Sequence, residues 1–272
     1  MMSSDKSINL NAYSNVECLE HYSTSKELED RREERKLFYK KHLQFFQRKN
    51  FGEKIRVIEI GSGSSVLLYL LAENNILSNG IGIELAKNRW QFAEKWKADK
   101  NFKQVHNIND NFKNVKLEKG LYDYYICIDN TLTYLYPESS NYPELMLKQA
   151  YDALNSDGHL ILDFINYVPF IKGNASYKTW QKFSHRDKYS YGLYDRQYLT
   201  KENIIQNKKI YLPKNSLIEE IHLELSFVYT IDSISDLLNN NGFIVKEIHS
   251  DFDENAYDEN VSERLVLLAT KN

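Results

Sequence analysis

The chain has few cysteines and prolines, and it lacks a long apolar run. Its 272 residues include two cysteines and four prolines. Cys18 and Cys127 are far apart in the sequence and Cys127 lies in an apolar run, so we expect a buried thiol, no disulfide and no metal site. No stretch approaches the about 18 apolar residues of a membrane span, and the first residues have no apolar signal region. We therefore expect neither membrane insertion nor export, and a cytoplasmic location.

The chain also lacks a strong excess of charge of either sign. A net charge of -3 and a pI near 6.2 give no general attraction for nucleic acid, and the charge-rich run at 31–36 mixes both signs. Hydrophobic residues at 42% and charged residues at 27% are typical of a folded globular protein. The length suits a core domain of about 150 to 200 residues that carries an insertion.

Short apolar runs alternate with amphipathic segments, which predicts an α/β fold with a mostly parallel sheet and helices on both faces. A helical segment at 1–50 precedes a core that we place at 51–166 and 230–272. A tyrosine-rich stretch at 167–229, with apolar residues at period two, is predicted as an inserted antiparallel β cap. The predicted core strands are 55–60, 80–83, 104–107, 124–128, 159–164, 243–249 and an antiparallel last strand at 264–270. The predicted core helices are 65–74, 87–98, 142–154 and 230–240.

A glycine-containing turn follows the first predicted strand, in the segment V-I-E-I-G-S-G-S-S at 57–65. Gly61 and Gly63 allow backbone conformations and a close approach that a Cβ would obstruct, and the amides of the next helix can receive a carboxylate. Glu59 precedes the first glycine by two residues, and Ser62 separates the two glycines. Such a turn suits a cofactor tail, although two glycines are also compatible with a simple tight connection.

Acidic residues follow the next predicted strands. Glu84 ends the second strand about twenty residues after the turn, where an acid can accept both ribose hydroxyls of an adenosine cofactor. Asp110 follows the third strand and Asp129 the fourth, at the edge where α/β sheets bind ligands. A dinucleotide-binding fingerprint would require glycine at position 66, where the chain has Val66, so this pattern disfavours an NAD site.

These segments, in this order, resemble the motifs of class I S-adenosylmethionine-dependent methyltransferases, in which a strand ends in E/D-x-G-x-G-x-G before a helix. Ser65 occupies the position of the third glycine of that motif. The resemblance implies a Rossmann-like sheet and S-adenosylmethionine as cofactor, with S-adenosylhomocysteine as product. The cofactor-binding residues that it implies are Arg32, Glu59, Gly61, Ser62, Gly63, Glu84, Leu85, Asn109, Asp110, Ile128 and Asp129.

The acceptor of the methyl group is predicted from two further segments. G-H-L-I-L-D-F-I-N-Y at 158–167 and D-N-T-L-T-Y-L at 129–135 resemble the glycine N-methyltransferase-like branch and its small-molecule amine relatives. A small-molecule amine is therefore the expected acceptor, with O-methylation of a small metabolite as the alternative. Nucleic-acid N-methyltransferases of the N/D-P-P-Y type have prolines and an aromatic residue where this chain has Asn130 and Thr131, so we expect no nucleic acid partner.

Methyl transfer needs little beyond geometry, because holding the acceptor and the methyl group at about 3 to 3.5 Å and excluding water supplies most of the acceleration. An amine must be presented unprotonated, and Tyr22, Tyr134, Tyr167 and His185 are the candidates for accepting its proton. Tyr22 is chosen because relatives fold an N-terminal tyrosine over the methyl group, so that segment 1–50 covers the active site. Ordinary packing or solvent exposure explains each candidate as well.

Several alternatives stay open at this point. Arg32 could bind the cofactor carboxylate or form a helix-surface ion pair with Glu29 or Glu33. The protein could be an NAD-dependent Rossmann oxidoreductase or a catalytically silent cofactor-binding relative, and a homo-oligomer is possible. The aromatic residues of the cap could enclose a compact substrate or form a packing layer. These are Tyr177, Trp180, Tyr189, Tyr191, Tyr194 and Tyr198.

Overall fold

The structure, a computed structural model, describes residues 8–13, 17–50, 52–173, 176–182, 189–214 and 218–272. Their strands are β1 (Ile55–Ile60), β2 (Leu77–Ile83), β3 (Val105–Ile108), β4 (Tyr122–Cys127), β5 (Leu154–Ile165), β6 (Ser176–Lys182), β7 (Tyr189–Leu199), β8 (Ile204–Pro213), β9 (Glu220–Phe227), β10 (Phe243–His249) and β11 (Arg264–Lys271). Their α-helices are α1 (Ile8–Tyr13), α2 (Ser25–Phe38), α3 (Lys40–Asn50), α4 (Val66–Glu73), α5 (Lys87–Lys100), α6 (Thr131–Glu138), α7 (Tyr142–Ala153), α8 (Val168–Gly173) and α9 (Ile231–Asn240). None of the helices in these ranges combines the length and apolar character needed to cross a bilayer.

A seven-stranded sheet in the order β10-β11-β5-β4-β1-β2-β3 forms the centre of the fold. The five neighbouring strands β5, β4, β1, β2 and β3 are all parallel to one another. Strand β11 is antiparallel to both β5 and β10. This confirms the predicted mostly parallel sheet with an antiparallel last strand. Because β1 pairs with both β2 and β4, the chain reverses its direction of winding at β1, and a crevice opens there at the carboxyl ends of the strands.

Helices cover both faces of the sheet and bury two apolar layers. One layer contains Phe46 of α3, Leu68 of α4 and Trp96 of α5. The other contains Met146 of α7 and Leu238 of α9, together with Cys127, which is fully buried. Burial of both faces explains why the central strands are almost continuously apolar in sequence.

The helical segment predicted at 1–50 is divided into α1, α2 and α3. Thr24 begins α2 through a capping box, since its side chain accepts from the Glu27 amide at 3.2 Å and the Glu27 carboxylate accepts from the Thr24 amide. The helix ends at Phe38, and the ring of the next residue, Tyr39, is buried in the core. The break turns α3 onto α4 and leaves α2 beside the carboxyl edge of the sheet.

The inserted cap is an antiparallel sheet in the order β6-β7-β8-β9. This confirms antiparallel strands in the insertion, where sequence periodicity had indicated only the regions of β8 and β9. Strand β9 packs on α6 and on α1. Asn9 of α1 completes this contact, because its side-chain amide donates to the Leu225 carbonyl at 3.1 Å and accepts from the Leu225 amide at 2.8 Å. The cap therefore fixes both helices over the crevice.

Candidate active site

The crevice at β1 is a cleft of about 780 Å³. It is lined by residues of α1 and α2, of the turn after β1, of the segments after β2 and β3, and of α6. Five of the predicted cofactor-binding residues line it: Gly61, Glu84, Leu85, Asp110 and Asp129. The ends of four neighbouring strands thus meet in one cavity, as the resemblance implied.

The glycine turn has the backbone conformation that its sequence indicates. Gly61 and Gly63 have φ of +67° and +56°, a region that residues with a Cβ rarely adopt. A Cβ on Gly61 would lie 2.5 Å from Oγ1 of Thr131, and one on Gly63 would lie 2.2 Å from a guanidinium nitrogen of Arg89. The turn is bound to β2, because the Gly61 and Ser62 amides both donate to the Ile83 carbonyl, at 2.9 and 3.1 Å.

Glu84 lies at the end of β2 and is fixed by backbone donors. Its carboxylate accepts from the Gly63 amide and the Ala86 amide, each at 2.7 Å. Asn109 supports the same segment, since its side chain donates to the carbonyls of Glu84 and Leu85 at 2.8 and 3.1 Å. A carboxylate has about four acceptor positions, so Glu84 can still accept from a ligand's hydroxyl groups.

Glu59 is buried beneath the turn, with 2% of its surface exposed. Its Oε2 atom is buried and forms no hydrogen bond within the described part of the chain. Burial, with a smaller contribution from the charge of Asp129, raises the pKa of Glu59 to about 8. Glu59 does not itself line the cleft. A buried carboxylate oxygen without a donor is costly, and beside the turn that forms the cleft it indicates a place for a polar or cationic group.

Asp129 lies two residues after the end of β4, in a turn where its φ is +53°. Tyr39 donates a hydrogen bond to its carboxylate, and its amide donates to Asp163 at 3.1 Å. Arg264 in turn binds Asp163 through two hydrogen bonds of 2.7 and 2.6 Å. Ile128, the preceding residue, is buried in the core and does not line the cleft, so it can contribute only through its backbone.

Three arginines converge on Glu17 at one end of the cleft. The Glu17 carboxylate lies 3.4 Å from Arg31, 3.0 Å from Arg35 and 3.5 Å from Arg89, and it also accepts from the Ser64 hydroxyl. Burial favours a raised pKa for Glu17, but Arg89 and Arg35 outweigh it and hold the pKa below its ordinary value. We refer to Arg31, Arg35 and Arg89 as the arginine cluster.

The structure corrects the assignment of Arg32. Its guanidinium pairs with Glu29 at 3.1 Å and Asp99 at 2.7 Å and lies over the Trp96 ring, outside the lining of the cleft. The alternative ion pair with Glu29 is therefore the one that forms. Arg31 lies on another side of the same helix and belongs to the cleft instead.

The four candidates for handling the acceptor's proton occupy different places. Tyr134 lines the cleft, and its hydroxyl lies 2.9 Å from that of Tyr13. Tyr22 packs against Phe92 and Tyr167 is buried under the cap, so neither lines the cleft. His185 lies outside the described residues. The N-terminal tyrosine that reaches the cleft is thus Tyr13, which precedes Tyr22 by nine residues.

The aromatic side chains of the cap that the structure describes do not line the cleft. Tyr177 and Tyr191 are 51% and 46% exposed, Tyr194 packs on Tyr211, and Tyr198 donates to Asn203. The side chains of Trp180 and Tyr189 are outside the described part. No described cap residue lines the cleft, and the cap contacts two helices that do, α1 and α6.

Comparisons with known proteins agree with this architecture. A family model described as a methyltransferase domain matches residues 51–216. No curated protein matches the chain by sequence. Among solved structures, the CcbJ methyltransferase from Streptomyces caelestis has a TM-score of 0.70 at 17% identity, covering 85% of this chain and 88% of that one. CalS10 bound to S-adenosylmethionine, an amino pentose methyltransferase from Micromonospora echinaspora, has a TM-score of 0.62 at 12% identity, covering 92% and 98%.

A third similar structure is the sugar N-methyltransferase KedS8 from a Streptoalloteichus species, with a TM-score of 0.61 at 9% identity and 85% coverage of both chains. At these identities the likeness shows the fold, which is the Rossmann-like fold of methyltransferases. The family and the fold together make S-adenosylmethionine the cofactor. With its glycine turn, its Glu84 carboxylate and a family match that spans more than half of its length, this chain belongs to the methyltransferase domain family.

Proposed function

We propose that the protein transfers the methyl group of S-adenosylmethionine to an amine nitrogen of a small molecule. The observation that carries the proposal is the cleft itself, which Gly61 and Glu84 both line and in which the Gly63 amide donates to Glu84. Glu59, whose buried Oε2 has no hydrogen-bond partner among the described residues, precedes Gly61 by two residues. These groups match the parts of the cofactor, which has a sugar diol, an ammonium group and an extended tail. The finer assignment, to the glycine N-methyltransferase-like branch, is part of this proposal.

We propose that one part of the cleft binds the cofactor and the other part binds the acceptor. We assign Glu84 to the ribose hydroxyls, Asp110 and Phe112 to the adenine end, and Glu59 to the ammonium group. The cofactor supplies an activated methyl on a sulfonium, so the protein has to position the acceptor and exclude water. The remaining part of the lining, from α1 and α6, is then available for the acceptor.

Charge favours an amine as the acceptor. Asp129 and Glu138 are acidic residues in the lining, and they attract an ammonium ion and can accept its proton. Burial raises the pKa of Tyr13 and of Tyr134, so this hydroxyl pair stays neutral and orients the nitrogen by hydrogen bonds. The similar structures that act on amino pentose and sugar nitrogen are consistent with such a substrate.

Ligand binding followed by product analysis tests the proposal. S-adenosylhomocysteine should raise the melting temperature and NADH should not. Incubation with S-adenosylmethionine and matched pairs of compounds, each an amine and its hydroxyl counterpart, should give methylated amines in mass spectrometry. Methylation of the hydroxyl members alone would indicate an O-methyltransferase. Stabilisation by S-adenosylhomocysteine without any product would indicate a cofactor-binding protein without transfer activity.

Replacing Glu84 by glutamine should weaken binding of S-adenosylhomocysteine by about tenfold to about a hundredfold, because a charged hydrogen-bond acceptor contributes about 1.5 to 3 kcal/mol. The same change weakens the contacts that fix Gly63 and Ala86. Isothermal titration calorimetry measures the effect. Glu118→Gln, which removes an exposed carboxylate outside the cleft, is the matched control. Equal affinities for the two variants would contradict the ribose assignment.

A further inference from the structure

The arginine cluster surrounds a carboxylate that belongs to the chain itself. Glu17 precedes the first helical turn of the segment at 19–21, and only 1% of its side chain is exposed. Its backbone has φ of +57°, a conformation uncommon for a residue with a Cβ. Glu17 lines the cleft, and its side chain accepts from Ser64 next to the glycine turn.

The cluster holds more positive charge than Glu17 neutralises. Arg31 has a second partner in Glu34 at 2.8 Å, but that carboxylate is 68% exposed and its pairing is screened by water. Arg89 has a second acidic neighbour, Glu84, at 4.0 Å, and its guanidinium lies over the Tyr13 ring. Glu17 is therefore the one buried carboxylate that contacts all three guanidinium groups, while the buried Glu84 is near Arg89 alone. Guanidinium groups suit an anion with planar oxygens.

We infer that Glu17 is an internal competitor of the cofactor, which occupies the arginine cluster until the carboxylate of the cofactor displaces it. The inference rests on the proposed function. S-adenosylmethionine carries a sulfonium, an ammonium and one carboxylate, and only the carboxylate is attracted by arginines. The cluster lies beside the turn at Gly63, where a tail would pass, since Arg89 is the group that a Cβ on Gly63 would meet.

Competition by an internal carboxylate lowers the apparent affinity for the cofactor. The measured dissociation constant is the intrinsic constant divided by the fraction of molecules in which the site is open. If Glu17 fills the site in about nine molecules of ten, removing its charge should tighten binding about tenfold. The gain should apply only to ligands that bring their own carboxylate.

Calorimetric titration of two ligands into three proteins tests this. S-adenosylhomocysteine has the carboxylate, whereas 5′-methylthioadenosine has the same adenosine and sulfur but no amino-acid tail. Glu17→Gln should bind S-adenosylhomocysteine about tenfold more tightly than the wild type and 5′-methylthioadenosine with unchanged affinity. Glu20→Gln, which removes an exposed carboxylate three residues away, should match the wild type with both.

Two results would overturn the inference. Glu17→Gln could bind S-adenosylhomocysteine no more tightly than the wild type, or it could bind both ligands more tightly, which would make Glu17 a general obstruction. Failure of the wild type to bind either ligand would contradict the proposed function itself. These results are distinct from one another in the same set of titrations.

A second variant tests the site without the cofactor and does not depend on Glu17→Gln being well folded. Glu17→Ala leaves the arginine cluster without its carboxylate, so free acetate should raise the melting temperature of this variant and leave that of the wild type unchanged. Acetate should also weaken the binding of S-adenosylhomocysteine to Glu17→Ala. Equal responses of the two proteins to acetate would show that the cluster does not accept a carboxylate.

Discussion

Glutamine in place of Glu59 is expected to make the protein more stable at pH 8 and, at the same time, a weaker binder of S-adenosylhomocysteine. The carboxyl is buried, its Oε2 has no described partner, and its pKa rises from 4.5 to about 8 on folding. The folded state therefore holds a proton that the unfolded chain releases. The contribution of Glu59 to the free energy of unfolding is therefore fully present below pH 4.5 and is lost as the pH rises towards 8.

The size of the stability change follows from that window. One pKa unit corresponds to about 1.4 kcal/mol, so the wild type loses about 3 kcal/mol between its acid limit and pH 7. Glutamine is neutral throughout and avoids this loss. Thermal unfolding of both proteins should show melting temperatures that coincide near pH 4.5 and diverge as the pH approaches 8. Parallel melting curves at every pH would contradict a raised pKa for Glu59.

The same substitution removes the proposed partner of the cofactor's ammonium group. An ammonium ion favours the ionised carboxylate, so binding should release the proton from Glu59, and the affinity of the wild type should rise with pH up to about 8. Glu59→Gln should bind at least about tenfold more weakly, with a flatter pH profile. 5′-Methylthioadenosine lacks the ammonium group and serves as the control ligand. A variant that retained both the affinity and the pH profile would show that Glu59 does not contact the cofactor. A residue that costs stability and supports binding is expected at a functional site.

Local signals in the sequence were enough to predict most of the core. The strand at Ile55–Ile60 coincides with its prediction, and α5 begins at Lys87 as expected. Thr230 caps α9 through a side chain that accepts from the Ser233 amide at 3.2 Å, and β10 has the predicted bounds. In each case the signal that predicts the element, an apolar pattern, a capping residue or a turn residue, is part of the element's own sequence.

The errors concern elements that depend on distant partners. Helix α6 contains Pro137 and begins after two residues with positive φ, which local propensities disfavour, and packing on β9 stabilises it. The helical segment predicted at 1–50 is interrupted before α2 and again at Tyr39, because the capping box at Thr24 begins a new helix and the ring of Tyr39 is buried.

The N-terminal side of the site could not be predicted for the same reason. Tyr13 meets Tyr134 across 121 residues of sequence, and Glu17 meets Ser64 across 47. Sequence spacing indicates which residues share a helix face, but not which face meets the cleft. Arg31 and Arg35 are four residues apart, so the sequence places them on one face of a helix. It does not indicate that this face is directed towards the cleft. The cytoplasmic location and a homo-oligomer stay predictions.

Replacement of Gly61 by alanine is expected to destabilise the protein and to abolish most cofactor binding. With φ of +67°, an alanine pays about 1 to 2 kcal/mol for the left-handed backbone alone. Its Cβ would also lie 2.5 Å from Oγ1 and 2.6 Å from Cγ2 of Thr131, an overlap that costs about 1 to 3 kcal/mol more. Relief of the overlap requires movement of the turn or of α6, and both line the cleft.

Gly120→Ala separates the two contributions. Gly120 has φ of +64°, close to that of Gly61, but a Cβ there would meet nothing within 4 Å. This control should lose only the backbone part of the free energy of unfolding and should bind S-adenosylhomocysteine like the wild type. Gly61→Ala should lose more stability and bind at least about tenfold more weakly, since a displaced turn no longer fits the ligand. Equal losses in the two variants would mean that Gly61 is required only for its conformation.

A double-mutant cycle then locates the overlap. Thr131→Ala removes the two atoms nearest to the new Cβ and leaves its own Cβ at 3.1 Å, a tight but tolerable distance. The effects of substitutions at contacting residues are not additive, so the double variant should be more stable than the sum of the single changes implies, by about 1 kcal/mol or more. The cost of the left-handed backbone at position 61 should persist. Additive unfolding free energies would place the strain elsewhere in the turn. Recovery of S-adenosylhomocysteine binding in the double variant would show that the cofactor needs the space between the glycine turn and α6.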